Sequence, residues 1–173
     1  MSIRLQTTFL LLLSLLGSTV VLAQAKPDAI INNQGIGFSR MADGQVIAYD
    51  LVEAYDNHTI TVADCAAHKA ELQGVSWCFA SAANKNTFEA ATGENGRNQY
   101  LPFVGGHCSL GMSLGNMVAR GDPRTAIRIG NQLVLNGNLN VRTSFLQDTE
   151  RNMDNARLRY QLAIANGDLS PNE

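Results

Sequence analysis

Apolar positions near the C-terminus recur at helical spacing. Phe145, Leu146, Thr149, Met153, Ala156, Tyr160 and Ala163 fall on one face of a 3.6-residue period. Ser144-x-x-Gln147 stands at its start with the spacing of a capping box. The pattern predicts one amphipathic helix over about 144–164, with Phe145, Met153 and Tyr160 on the core. Upstream the period changes to two. Segments 67–72 and 75–80 flank Gln73-Gly74, a two-residue hairpin loop. In that register Ala70 faces Trp77 and His68 faces Phe79, while Lys69 and Cys78 share the other side.

The rest of the chain divides along the same lines. Ser81 caps a predicted helix over 81–91 that points Phe88 inward. Segment 45–55 reads as a strand or short helix. After a Gly-Asn loop at 93–98, a short helix is expected within 107–114, punctuated by Asp122-Pro123. Segments 125–129 and Gln132–Asn136 flank Gly130-Asn131, a pair that tolerates the left-handed backbone of a hairpin. Residues 26–44, rich in Gly, Asn and Asp, predict an irregular lead-in, and 166–173 a flexible tail. Gly35-Ile36-Gly37 lacks the third glycine of a nucleotide-binding fingerprint, since Arg40 stands there. The expected class is α+β, a single small domain of β-hairpins with short helices and a C-terminal amphipathic helix.

Composition places the chain in a compartment. Arg4, the apolar stretch 9–22 and the small-x-small triplet Ala23-Gln24-Ala25 form a signal peptide over 1–25, cleaved before Lys26. The apolar run is shorter than the ~20 residues that span a bilayer, so the mature chain is expected to be periplasmic or secreted, with no membrane span. The full chain, at 173 residues and a formal net charge of −2, is sized for one domain and lacks the basic stripe that nucleic acid requires. Asn57-His58-Thr59 matches a glycosylation sequon, a triplet common by chance.

The candidate chemistry lies in sulfur and imidazole. Three cysteines, Cys65, Cys78 and Cys108, allow one disulfide in three ways and leave one thiol over. Gly105 and Gly106 let the chain turn sharply into His107-Cys108, with Met112 one helical turn beyond Cys108. Thiolate, thioether and imidazole together select a soft cation, so Cys108, His107, Cys78 and Met112 are the candidate ligands, for copper before zinc. The same proximity would permit a Cys78–Cys108 disulfide, which would abolish the thiolate site. The plainer reading makes Cys108 a small buried residue and Met112 core filling. His68 reads as a packed histidine, and His58 as exposed. No zinc-hydrolase helix, nucleophile elbow or phosphate loop is present, which favours a binding or structural role over an enzyme.

At these residues the chain resembles the YHS-domain family, in particular its small exported single-domain members. The resemblance rests on Phe79-Ala80-Ser81-Ala82-x-Asn84 with Phe88 four residues on. It continues through Tyr100, Pro102, Gly105, Gly106 and Cys108. Tyr49-Asp50-Leu51-Val52, Gly121-Asp122-Pro123 and Leu133-Val134-Leu135-Asn136 follow the same order, so the YHS-like domain is placed at 45–165. The name-giving aromatic-His-Phe reads Trp77-Cys78-Phe79, and the paired cysteines of the copper-ATPase members fall at Ala80 and Asn84. The resemblance implies an α+β fold and a metal ion, copper first, as partner. Two alternatives stand beside it: a structural or protein-interaction module that keeps the fold without ligands, and a redox protein or thiol enzyme using Cys108.

Overall fold

The computed structural model describes residues 26–94 and 96–172, and the expected signal peptide lies outside them. The fold is α+β in a single small domain. Strands β1 (Asn32–Asn33), β2 (Ile36–Gly37), β3 (Ser39–Ala42) and β4 (Gln45–Ala48) lead into a π-helical turn at Glu53–Asn57. The hairpin β5 (Lys69–Leu72) and β6 (Val75–Cys78) precedes helix α1 (Ala82–Ala90). A 3-10 turn at Phe103–Gly106 and the short α2 (Ser109–Ser113) come next, then β7 (Asp122–Ile129), β8 (Gln132–Asn136), α3 (Leu139–Leu146) and α4 (Thr149–Ala165). Among the described residues no helix is long and apolar enough to cross a membrane.

The central hairpin has the expected register, with Ala70 opposite Trp77 and Lys69 opposite Cys78. Gln73 and Gly74 take positive φ, the backbone that a two-residue hairpin turn needs. Ser81 accepts a hydrogen bond from the Asn84 amide and caps α1, whose Phe88 is buried against Phe79 and Trp77. The second hairpin turns at Gly130-Asn131 as expected, but β7 extends back to Asp122 with an irregularity between Asp122 and Ile127.

Three expectations are corrected. Residues 26–44 are not an irregular lead-in: β2 pairs in parallel with β6 to complete a four-stranded sheet, ordered β1-β2-β6-β5. Gly35, Asp43 and Gly44 fill turns there, Asn32 and Asn33 themselves form β1, and the strands are too short to show a period. The tail is tied down as well. Ala29 N donates to Ser170 O, Ser170 N donates to Pro27 O, and the Asn172 amide bonds Ile30 on both sides. Finally, the C-terminal helix is two helices. Ser144 lies inside α3, where its hydroxyl donates back to Asn140 O, and the α3 cap is Asn138. Asp148 leaves helical geometry and starts α4. Phe145, Met153, Ala156 and Ala163 are nevertheless buried, because the break preserves the phase of the stripe.

Strand β8 divides the interior in two. Leu133 and Leu135 join a core of Trp77, Phe79, Phe88 and Leu51. Val134, on the opposite face, joins Met112, Phe145 and Ala156 under the helices. Alternation along a strand buried on both faces explains why 133–135 is continuously apolar.

Candidate functional site

The sulfur and imidazole groups do not converge as the sequence suggests. Cys78 is bonded to Cys65, with Cα atoms 4.8 Å apart, and Cys108 is the buried free thiol. The alternative Cys78–Cys108 disulfide is therefore replaced, and Cys78 offers no thiolate to a metal. The reason is the hairpin register: the Lys69–Cys78 pair sets Cys78 beside the turn that carries Cys65, held by the Asp64 N to Phe79 O bond of 3.0 Å. Among the described residues no three His, Cys, Asp or Glu side chains gather in metal-binding geometry.

Each remaining candidate has its own neighbours. Cys108 caps α2, its Sγ accepting from Gly111 N at 3.4 Å and Gly137 N at 3.3 Å. Met112 is fully buried in the helical core. His107 lies fully buried on another side, with Nε2 3.0 Å from Asp28 O and its ring 6.0 Å from Tyr160. A carbonyl partner requires Nε2 to carry the proton, which leaves a lone pair on Nδ1. Nδ1 is buried without a hydrogen-bond partner. Burial holds the His107 pKa below its ordinary value, against nearby backbone carbonyls that raise it, so the ring is neutral. His68 is half-buried and His58 exposed, as the sequence suggests.

The sharp turn before His107 builds a different feature. Val104, a β-branched residue, is held at φ 46°, ψ 43°, and Gly105 follows at φ 63°. Such a backbone costs about 1–3 kcal/mol at a non-glycine residue and persists only where its surroundings enforce it. Here Ile31 N donates to Gly105 O and Tyr160 donates to Ala29 O, which clamp the turn against the N-terminal segment. A Cβ at Gly105 would collide with the Ala29 carbonyl oxygen, so position 105 has no room for a side chain.

Val104 lines a cavity of about 560 Å³ together with Trp77, Leu101, Phe103, Arg97 and Gln132. A second cavity, of about 870 Å³, runs along Ile164, Ala165 and Pro171. Ile30, Gln73, Arg97 and Tyr160 line both, so the two are arms of one trough. The wall is fixed by named bonds. Gln73 Nε2 donates to Gly96 O, tying the hairpin tip to the 93–97 loop, and the buried Asn98 amide donates to Phe88 O and Thr92 Oγ1. Burial also pushes the Tyr160 pKa up, keeping it a neutral phenol. Sequence reading missed this trough, since residues 30, 73, 97 and 160 share no local pattern. Its nearest signal was the Val104-Gly105-Gly106 turn.

No protein-family model, curated protein or solved structure matches this chain.

Proposed function

We propose that this chain is a non-catalytic binding module of the cell envelope, YHS-like in its motif order, that takes a small apolar molecule in the trough. The observation that carries this reading is the trough with its strained wall. Its arms fall in the range of about 300–1,000 Å³ that suits small ligands, and Val104 holds a costly backbone at its edge. The Cys65–Cys78 disulfide supports an oxidising compartment, periplasmic or secreted. A neutral, environment-sensitive probe such as N-phenyl-1-naphthylamine is expected to bind the native protein saturably with one equivalent. Gln132→Trp and Gln161→Trp together, which place an indole in each arm, should weaken it at least about tenfold while the melting temperature holds. Non-saturable binding, or binding indifferent to both indoles, would overturn the reading.

A second reading, a soft metal ion with copper before zinc, keeps one favouring observation. The bare, buried Nδ1 of His107 belongs to the residue next to the free thiol of Cys108, and a carbonyl on the other ring nitrogen is the arrangement that orients a ligating histidine. On this reading copper(I), titrated anaerobically without added thiol so that Cys65–Cys78 stays closed, binds at one equivalent. Cys108→Ser removes that binding and leaves the fold intact. Unchanged affinity in Cys108→Ser retires the metal reading and leaves the trough reading untouched.

A further inference from the structure

A separate cavity, which shares no lining residue with the trough, lies between β3 and the start of β7. Its volume is about 510 Å³, and Asn33, Arg40, Met41, Arg120, Asp122 and Gly137 line it. Both arginines are held in place, and by neutral acceptors. Arg40 Nε donates to the Tyr49 hydroxyl at 2.8 Å. Arg120 Nη2 donates to the Asn32 carbonyl oxygen and, at 3.0 Å, to Asn33 Oδ1. Asn33 Nδ2 in turn donates to Ser39 O at 2.9 Å, which draws Arg120 and its anchor against the strand that carries Arg40. These bonds use few of the five N–H donors on each guanidinium. They also leave both charges uncancelled, since neither arginine forms an ion pair among the described residues. The wall is rigid at Gly121, where a Cβ would meet the Gly106 oxygen and Leu135 at 2.6 Å.

The carboxylate on this wall, Asp122, is already committed. Arg124 grips both of its oxygens, Nε at 3.0 and 3.1 Å and Nη2 at 2.5 Å. Burial raises the Asp122 pKa, but the Arg124 fork outweighs it, with Arg40 adding, and holds the carboxyl below its usual range. Asp122 and Arg124 cancel one another, so the positive charges of Arg40 and Arg120 are left over. A cation is repelled by such a lining, and a monoanion satisfies one guanidinium of the pair. A long polyanion meets a chain whose formal net charge is −2, so the attraction is confined to the cavity. A phosphate monoester carries close to two negative charges at neutral pH, on oxygens that guanidinium forks match. We propose that this cavity binds a phosphate monoester, its oxygens shared between Arg40 and Arg120.

The test follows the backbone amide signals of the nitrogen-labelled mature protein by NMR as phenyl phosphate or phenyl sulfate is added, just above neutral pH and at fixed ionic strength. The two esters share a ring and differ by about one charge. Phenyl phosphate is expected to bind at least about tenfold more tightly and to shift the Asn33 and Gly137 signals, because charge-assisted forks separate the two. Arg40→Gln and Arg120→Gln should each weaken it about tenfold, and together they should abolish the preference. Arg120→Lys, which keeps the charge but not the fork, should fall between. Arg128→Gln removes a positive charge outside this cavity, where Arg128 packs over the Tyr55 ring, and should leave the affinity unchanged. Arg40→Gln alone keeps the test valid if Arg120→Gln loosens β1. Binding to vesicles containing phosphatidic acid, lost in the double variant, assigns the monoester to a lipid, and its absence assigns it to a soluble molecule. Equal affinity for the two esters, binding of neither, or a preference that survives both substitutions overturns the inference. Every outcome leaves the trough reading as it stands, because none of these residues lines the trough.

Discussion

Asp50→Ala is expected to destabilise the protein by about 4 kcal/mol, the upper range for a point substitution. The Asp50 carboxylate is fully buried and accepts four hydrogen bonds. Its Oδ1 takes the Val52 and Glu53 amides at 2.9 and 3.1 Å, and its Oδ2 takes the Ala80 amide at 2.7 Å and the Asn84 side chain at 2.8 Å. One side chain thus starts the π-helical turn, ends β6 and anchors α1. Hydrogen bonds to a charged group contribute about 1.5–3 kcal/mol each, and buried donors left unpaired add a cost of their own. Asp50→Asn, which keeps the shape but turns one acceptor into a donor, should lose roughly half as much. Urea unfolding of the two variants beside the wild type measures both. A loss below about 1 kcal/mol in Asp50→Ala would mean that the four donors find other partners and that Asp50 is not the hub of this corner.

Opening the Cys65–Cys78 disulfide is expected to cost about 3 kcal/mol, the chain-entropy value for a closed loop of this length. The bond spans 13 residues and ties the 64–68 turn to the end of β6. Cys65→Ala, at a half-buried position, removes it with little loss of packing. The variant should show the lower urea midpoint with or without reductant, whereas reductant should lower the wild type to the same value. Trypsin without reduction should yield peptides 41–69 and 70–85 as one linked pair, with Cys108 alkylated separately in 98–120. A Cys108 peptide linked to either partner would contradict the pairing, and a reductant-insensitive wild type would contradict its energetic role.

The Asp50 cluster also bears on the motif reading. Asp50 and Asn84 belong to two separate motif segments, and the fold brings their side chains into contact. Asn84 donates to Glu53 as well, and with Asn57 it holds the Glu53 carboxyl below its usual pKa. These residues therefore have a structural role that needs no ligand. The same holds for Phe79 and Phe88, whose rings pack 5.1 Å apart at a tilt of 48° in the core. The motif at 79–88 is accounted for by packing and capping, and none of its residues lines either cavity of the trough.

What the sequence by itself determined is local. The register of 69–78, the Ser81 cap, the Gly130-Asn131 turn and the buried faces of Phe145 and Met153 follow from side-chain alternation, helical period and turn chemistry within a few residues. The break at Gln147-Asp148 escaped because a helix that stops and restarts in phase leaves the apolar pattern intact. The strands of 32–42 escaped because β1 and β2 span two residues each, below any readable period. Tertiary structure alone decided the chemistry. Three disulfides were compatible with the cysteines, and only the hairpin's contact with the 64–68 turn selects Cys65–Cys78. Adjacency in sequence suggested that His107 and Cys108 would act together, yet the clamped turn hands one to Asp28 and the other to Gly111 and Gly137. The trough is set by residues far apart along the chain, whose nearness costs loop entropy that only the whole core repays, so no local pattern encodes it.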